Sequence, residues 1–148
     1  MKQEMIMNIS ERRAIDLLVS EFWRLGFFTL SRKLGTYLPE PENIGKFSVD
    51  VIGRQKEKYA LGITLNKEDI FNSDLIEKIN FLASRRTKFS GKPIVLFVGV
   101  PDIYFKQVKE ILLNVDEKIK KSIKLIRIIE NNIDSKKEKI KNQQVIFS

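Results

Sequence analysis

Cysteine and histidine are both absent from this chain of 148 residues. Without cysteine there are no disulfides, thiolate zinc sites or thiol nucleophiles, a usage that suits a reducing cytoplasm. Without histidine, Ser-His-Asp and Cys-His mechanisms, imidazole general bases and imidazole metal ligands are excluded. Catalysis, if there is any, must rest on carboxylates, lysines, hydroxyls or a hard oxygen-bound cation such as magnesium. Long apolar runs are missing too, since none approaches the roughly 20 residues needed to span a bilayer. The opening Met1-Lys2-Gln3-Glu4-Met5-Ile6-Met7 carries an acid and too short an apolar stretch for a signal peptide. These absences together predict a soluble cytoplasmic protein without a membrane partner. Phosphate loops are also lacking, because neither Gly91-Lys92-Pro93 nor Val98-Gly99-Val100 makes a P-loop or a dinucleotide fingerprint.

What is present suffices for one core. Hydrophobic residues make up 43% and charged residues 31%, which predicts a single domain over 1–148, with a core at 10–129 and a polar C-terminal extension at 130–148. The formal net charge of +8 and pI near 9.7 favour an anionic partner, DNA or RNA before others. A compositionally biased, lysine-rich genome would produce the same excess, so charge alone does not decide.

Helical and strand patterns alternate along the chain. Ala14, Ile15, Leu18, Phe22 and Leu25 recur at helical spacing, with Asn8 or Ser10 as the expected cap and Gly26 as the stop. Phe27–Leu30 reads as a short strand, followed by a loop holding Gly35, Pro39, Pro41 and Gly45. Phe47–Ile52 and Tyr59–Leu65 read as a hairpin, with Tyr59, Leu61, Ile63 and Leu65 on one face. Asp74–Phe89 reads as a second helix capped by Ser73 and closed by Gly91. Pro93–Val100 is a nearly continuous apolar run, as in a central strand covered on both faces. Pro101 and Asp102 open a further helix with Tyr104, Val108, Ile111, Leu112 and Val115 inward, and Ile123–Ile129 reads as a strand. Val145-Ile146-Phe147 is a terminal apolar scrap suited to an edge strand or a partner. The fold class is therefore α/β with a mixed central sheet flanked by helices.

This order of elements resembles the PD-(D/E)XK nuclease superfamily. Its parts are Glu11-Arg12 opening an amphipathic helix, Leu25-Gly26-Phe27 closing it, Val49-Asp50-Val51-Ile52 entering a hairpin, then a helix and the strand at 93–98. Within that superfamily it is similar to the restriction-endonuclease-like folds of archaeal Holliday-junction resolvases, over residues 10–100. The resemblance implies a three-layer restriction-endonuclease-like fold and a magnesium site at the hairpin. There, an aspartate on one strand and an acid and a lysine on the next hold the metal and activate water. Asp50 matches the aspartate and is the one candidate metal ligand. Gly62 stands where the second acid belongs and Thr64 where the lysine belongs, so two of three contributions are missing.

Glu11 matches the glutamate that the family often places on its first helix near the metal. The plain reading is preferred: a first-turn carboxylate, in a capping arrangement with Asn8, interacting with the helix dipole. Asp50 stays open between a vestigial ligand and a structural turn partner. Relocated catalytic groups would have to come from Glu57, Lys58, Lys67, Glu68 or Asp69, and spacing disfavours most of them. On the same strand face, Ala60 and Gly62 leave room for close packing of helix one. Arg32, Lys33, Arg85 and Arg86 are candidate phosphate contacts on a shared side, with a solvated surface as the plain alternative. No interleaving of aromatic and basic residues suggests single-strand binding, most phenylalanines fall at core-like positions, and Trp23 reads as a packing residue. The expected function is a catalytically silent nuclease fold that binds nucleic acid or serves as an accessory factor, with a homodimer compatible and no cofactor. Its alternatives are a magnesium-dependent DNA endonuclease with relocated groups, and a protein-interaction module.

Overall fold

The computed structural model describes residues 2–88 and 91–129. The expected extension at 130–148, with Val145-Ile146-Phe147, lies outside the described residues. Five strands form one sheet in chain order: β1 (Phe28–Arg32), β2 (Val51–Gln55), β3 (Lys58–Thr64), β4 (Val95–Pro101) and β5 (Ile123–Ile128). The first two pairings are antiparallel and the last two parallel, so the sheet is mixed, as expected. The β2–β3 hairpin sets Val51 opposite Gly62 and closes over Lys56 and Glu57, with Lys56 in the left-handed region at φ 54°. The helices among the described residues are α1 (Lys2–Arg24), α2 (Lys67–Ile70), α3 (Leu75–Ala83), α4 (Phe105–Leu112, entered through a 3-10 turn at Asp102–Tyr104) and α5 (Glu117–Lys120). None among the described residues is long and apolar enough to cross a membrane.

Each sheet face has its own apolar layer. On one, α1 sets Ile15, Leu18 and Phe22 against Val51, Ala60 and Phe97. On the other, Leu61, Ile63, Leu65, Leu96, Val98 and Val100 meet Ile79 and Leu82 of α3 and Val108 of α4. The alternation expected for the hairpin strand is present, and β4 is buried on both faces, as its apolar run predicts. Fully burying side chains of this size stabilises the fold by roughly 1.5–3 kcal/mol each.

Glycine lets α1 approach the sheet. A Cβ at Gly53 would lie 2.5 Å from Phe22 Cδ2, and one at Gly62 would lie 3.2 Å from Leu18 Cδ1 and 3.3 Å from Phe22 Cζ. The small residues of this face thus serve close packing of the first helix, as the sequence suggests.

That helix ends in a Schellman arrangement. Gly26 (φ 88°) donates its N–H to Trp23 O at 3.0 Å, and Phe27 donates to Phe22 O at 2.8 Å. The rings of Phe22 and Phe27 meet at 6.0 Å, the apolar contact that accompanies this motif.

Several boundaries differ from expectation. The first helix begins at Lys2, so Asn8 and Ser10 lie inside it rather than at its start. Lysine, glutamine, glutamate and methionine are strong helix formers and carry the helix upstream. The expected helix over 74–89 ends at Ala83, because Ser84 caps it and Arg86 bridges to Pro93. Its N-cap is Asp74, which makes no side-chain cap bond, in place of Ser73. Gly91 closes a separate turn by donating to Thr87 O at 3.0 Å. Strand β2 starts at Val51 rather than Phe47. Trp23 and Phe28 are exposed and pack edge-to-face against each other at 6.1 Å, so neither is a core residue.

Candidate functional site

The carboxyl ends of β3, β4 and β5 open into a cavity of about 870 Å³. Open α/β sheets generally place ligands at this edge, because strand ends leave backbone groups and loops free to converge there. Glu11, Arg13 and Ala14 line the cavity from α1, and Lys33, Ser48 and Asp50 from the segments flanking the β1–β2 loop. Thr64 and Asn66 follow from the end of β3, and Tyr104 and Ile128 from beyond β4 and at the end of β5.

Asp50 is fully engaged. Its Oδ2 accepts from the Thr64 backbone N–H at 2.7 Å and from Thr64 Oγ1 at 3.0 Å. Its Oδ1 faces Lys33 Nζ at 3.5 Å, and its side chain is only 15% exposed. The same lysine donates to Ser48 Oγ through its ammonium. The backbones join as well, with Lys33 N–H donating to Asp50 O and Asp50 N–H donating to Gly62 O, at 2.9 and 2.8 Å. Leu34 turns the chain directly after Lys33 at φ 57°, a left-handed conformation costing a non-glycine residue roughly 1–2 kcal/mol. This turn holds Lys33 over the carboxylate.

Gly62 and Thr64 share the face beneath α1. Thr64 is a hydrogen-bond donor to Asp50 and supplies no cation. Gly62 is buried, and its missing side chain is the space that Leu18, Phe22 and Val51 occupy. Any side chain there would have to push these neighbours aside. Among the described residues, no three side chains of the metal-ligating types come together. As placed, the groups around Asp50 are the Thr64 hydroxyl and the Lys33 ammonium, short of the carboxylates that magnesium takes. One carboxylate is already hydrogen-bonded, and its neighbour is a cation rather than a second acid.

Glu11 is exposed and lines the cavity from the middle of α1, not from a first turn. The capping reading with Asn8 is thereby corrected. Of the candidate relocated groups, Glu57 pairs with Lys92 at 3.2 Å at the hairpin tip, and Lys58 lies over the Phe27 ring. Asp69 is taken up in a capping box with Asn66. Lys67 alone among the candidate lysines reaches the cavity lining.

The four candidate phosphate contacts do not share a side. Arg32 and Lys33 stand where β1 meets the start of β2, beside the carboxyl ends of β3 and β4. Arg85 and Arg86 stand at the opposite end, where Arg86 bridges to Pro93 ahead of β4. Antiparallel connection of α3 to the sheet carries its C-terminus away from the cavity. Arg32 is also committed, pairing with Asp16 at 2.6 Å with its side chain only 14% exposed. Arg85 lies over the Phe81 ring at 4.0 Å, and Arg86 donates to Gly91 O at 3.0 Å.

Lys33 is the group whose place in the Asp50 site the sequence conceals. It lies in a loop with no periodicity, and only the antiparallel pairing of β1 with β2 brings it to Asp50. Comparison of the chain with protein-family models, with curated proteins and with solved structures finds no match.

Proposed function

We propose that this chain is a restriction-endonuclease-like domain that binds nucleic acid without cutting it, serving as a binding or accessory factor in the cytoplasm. The observation that carries the reading is the internal commitment of Asp50. Two donors of Thr64 saturate one oxygen, and the ammonium of Lys33 faces the other. A divalent cation at this carboxylate would have to displace Lys33 or sit beside it against like charge. The net charge of +8 supports an anionic partner.

One observation favours the second reading, an endonuclease with relocated groups: Lys33 brings an ammonium to Asp50 from outside the β3 strand. The two readings separate on labelled duplex, branched and single-stranded DNA and on RNA, incubated with magnesium or manganese. The expected result is retention of nucleic acid that weakens steeply with salt while the strands stay intact. Metal-dependent cleavage abolished by Asp50→Ala would install the endonuclease. Failure to retain any nucleic acid at low salt would leave a protein-interaction module.

A further inference from the structure

The cavity has a second wall, built by α2, the 3-10 turn and α3, that takes no part in the Asp50 arrangement. Lys67 and Lys78 line it, and neither has an ion-pair partner among the described residues. Asp69, also in the lining, is held by Asn66 through the capping box, while Glu11 and Glu40 line the cavity from α1 and the loop after β1. Tyr104 belongs to the same wall, and Phe71 stands beside it with ring centroids 5.9 Å apart and ring planes at 87°. Phe71 is 60% exposed, and Ile103, at the cavity rim, is 77% exposed. Sequence order scatters these groups over residues 67–104, and the fold collects them at one edge.

An exposed aromatic ring packed against a cavity-lining tyrosine, with two lysines in the same lining, suits one ligand chemistry, a flat ring joined to a phosphodiester. In a duplex the base faces are stacked on one another and out of reach, whereas an unpaired base can lay its face on a side-chain ring. The geometry points to this wall as a binding site for unpaired nucleotides, with a base against Phe71 and Tyr104 and the adjoining phosphates at Lys67 and Lys78. This rests on the nucleic-acid reading above and narrows it to single strands, or to single-stranded stretches within branched molecules. The apolar rim carries the base and the lysines carry the salt dependence.

Fluorescence anisotropy of the full chain with labelled oligo-dT, oligo-U and a duplex of equal length tests this. Single strands should bind more tightly than the duplex. Phe71→Ala should weaken single-strand binding about tenfold, the scale of one lost stacking contact, and leave duplex binding within about twofold. Phe71→Trp should restore it, since the π face returns. Phe71 is exposed enough that an unchanged thermal midpoint is expected for both variants, and measuring it separates lost binding from lost folding. Lys67→Met together with Lys78→Met should flatten the salt dependence of single-strand binding by about 1.4 in the log–log slope, at about 0.7 per phosphate contact. Equal binding of duplex and single strand, or a Phe71→Ala variant that binds like the wild type, would overturn the site while leaving nucleic-acid binding intact and the rim to a protein partner. Loss of all binding in the wild type would overturn both.

Discussion

Placing an acid at position 62 tests whether the proposed silence of the site is a matter of one missing side chain or of the packing around it. In Gly62→Asp the new Cβ would lie 3.2 Å from Leu18 Cδ1, 3.3 Å from Phe22 Cζ and 3.3 Å from Val51 Cβ. None of these is a loose surface group. Leu18, Phe22 and Val51 are all buried between α1 and the sheet. Overpacking at such a point costs about 1–3 kcal/mol, and a buried carboxylate without a partner adds about 1–3 kcal/mol more. The variant should thus lose about 2–6 kcal/mol, which at about 4 °C per kcal/mol lowers the melting midpoint by about 8 °C or more. Gly62→Ala separates the two costs. Its methyl overpacks slightly, but it restricts the unfolded chain by about 0.5–1 kcal/mol in compensation, so it should stay within about 1 kcal/mol of the wild type. Thermal and urea unfolding by circular dichroism read both. A Gly62→Asp protein that melts with the wild type would refute the reasoning, because an acid could then stand on this face and α1 would not be seated as described.

Thr64→Val removes the hydroxyl donor to Asp50 and keeps the backbone one, so urea unfolding should show a loss of about 1 kcal/mol. Lys33→Met leaves the Asp50 oxygen facing no cation. It should cost about 1–3 kcal/mol in the same assay, whereas Arg86→Ala, at the opposite end of the sheet, should leave the cavity's affinity unchanged. Glu21 hydrogen-bonds Arg24, which holds its carboxyl below the ordinary range. A lowered folded-state value stabilises the protein above the carboxylate range and loses that stabilisation as pH falls through it. Glu21→Gln should therefore be slightly less stable than wild type at neutral pH, and the two should converge in acid, as pH-dependent melting would show.

Parts of this architecture are legible in residue order because they follow local rules. The stripe Ile15, Leu18, Phe22 predicts the buried face of α1. The period-two pattern at Leu61, Ile63 and Leu65 predicts the face that meets α3. The apolar run before Pro101 predicts a strand covered on both sides. Short elements are less visible: α2 spans only Lys67–Ile70 and buries a single residue, Ile70, too little for any periodicity to register. Termini drift for similar reasons, since propensity continues α1 upstream of every candidate cap, while a pairing with Pro93 ends the helical course after α3 early. The site is hardest to read. Asp50, Gly62 and Thr64 follow from hairpin register, but Lys33 reaches Asp50 only through the β1–β2 pairing and a left-handed turn at Leu34. Phe71 and Tyr104 likewise meet only because successive parallel strands deliver their following segments to one edge.

Diffraction from crystals soaked in manganese confronts the proposed silence of the site most directly, because the ion's anomalous signal marks its position independently of any activity. With Lys33 as the resident counter-charge, the Asp50 carboxylate should remain bonded to both Thr64 donors, with no metal peak beside it. A manganese ion ligated by Asp50 and two further carboxylate oxygens, with Lys33 swung aside, would contradict the account.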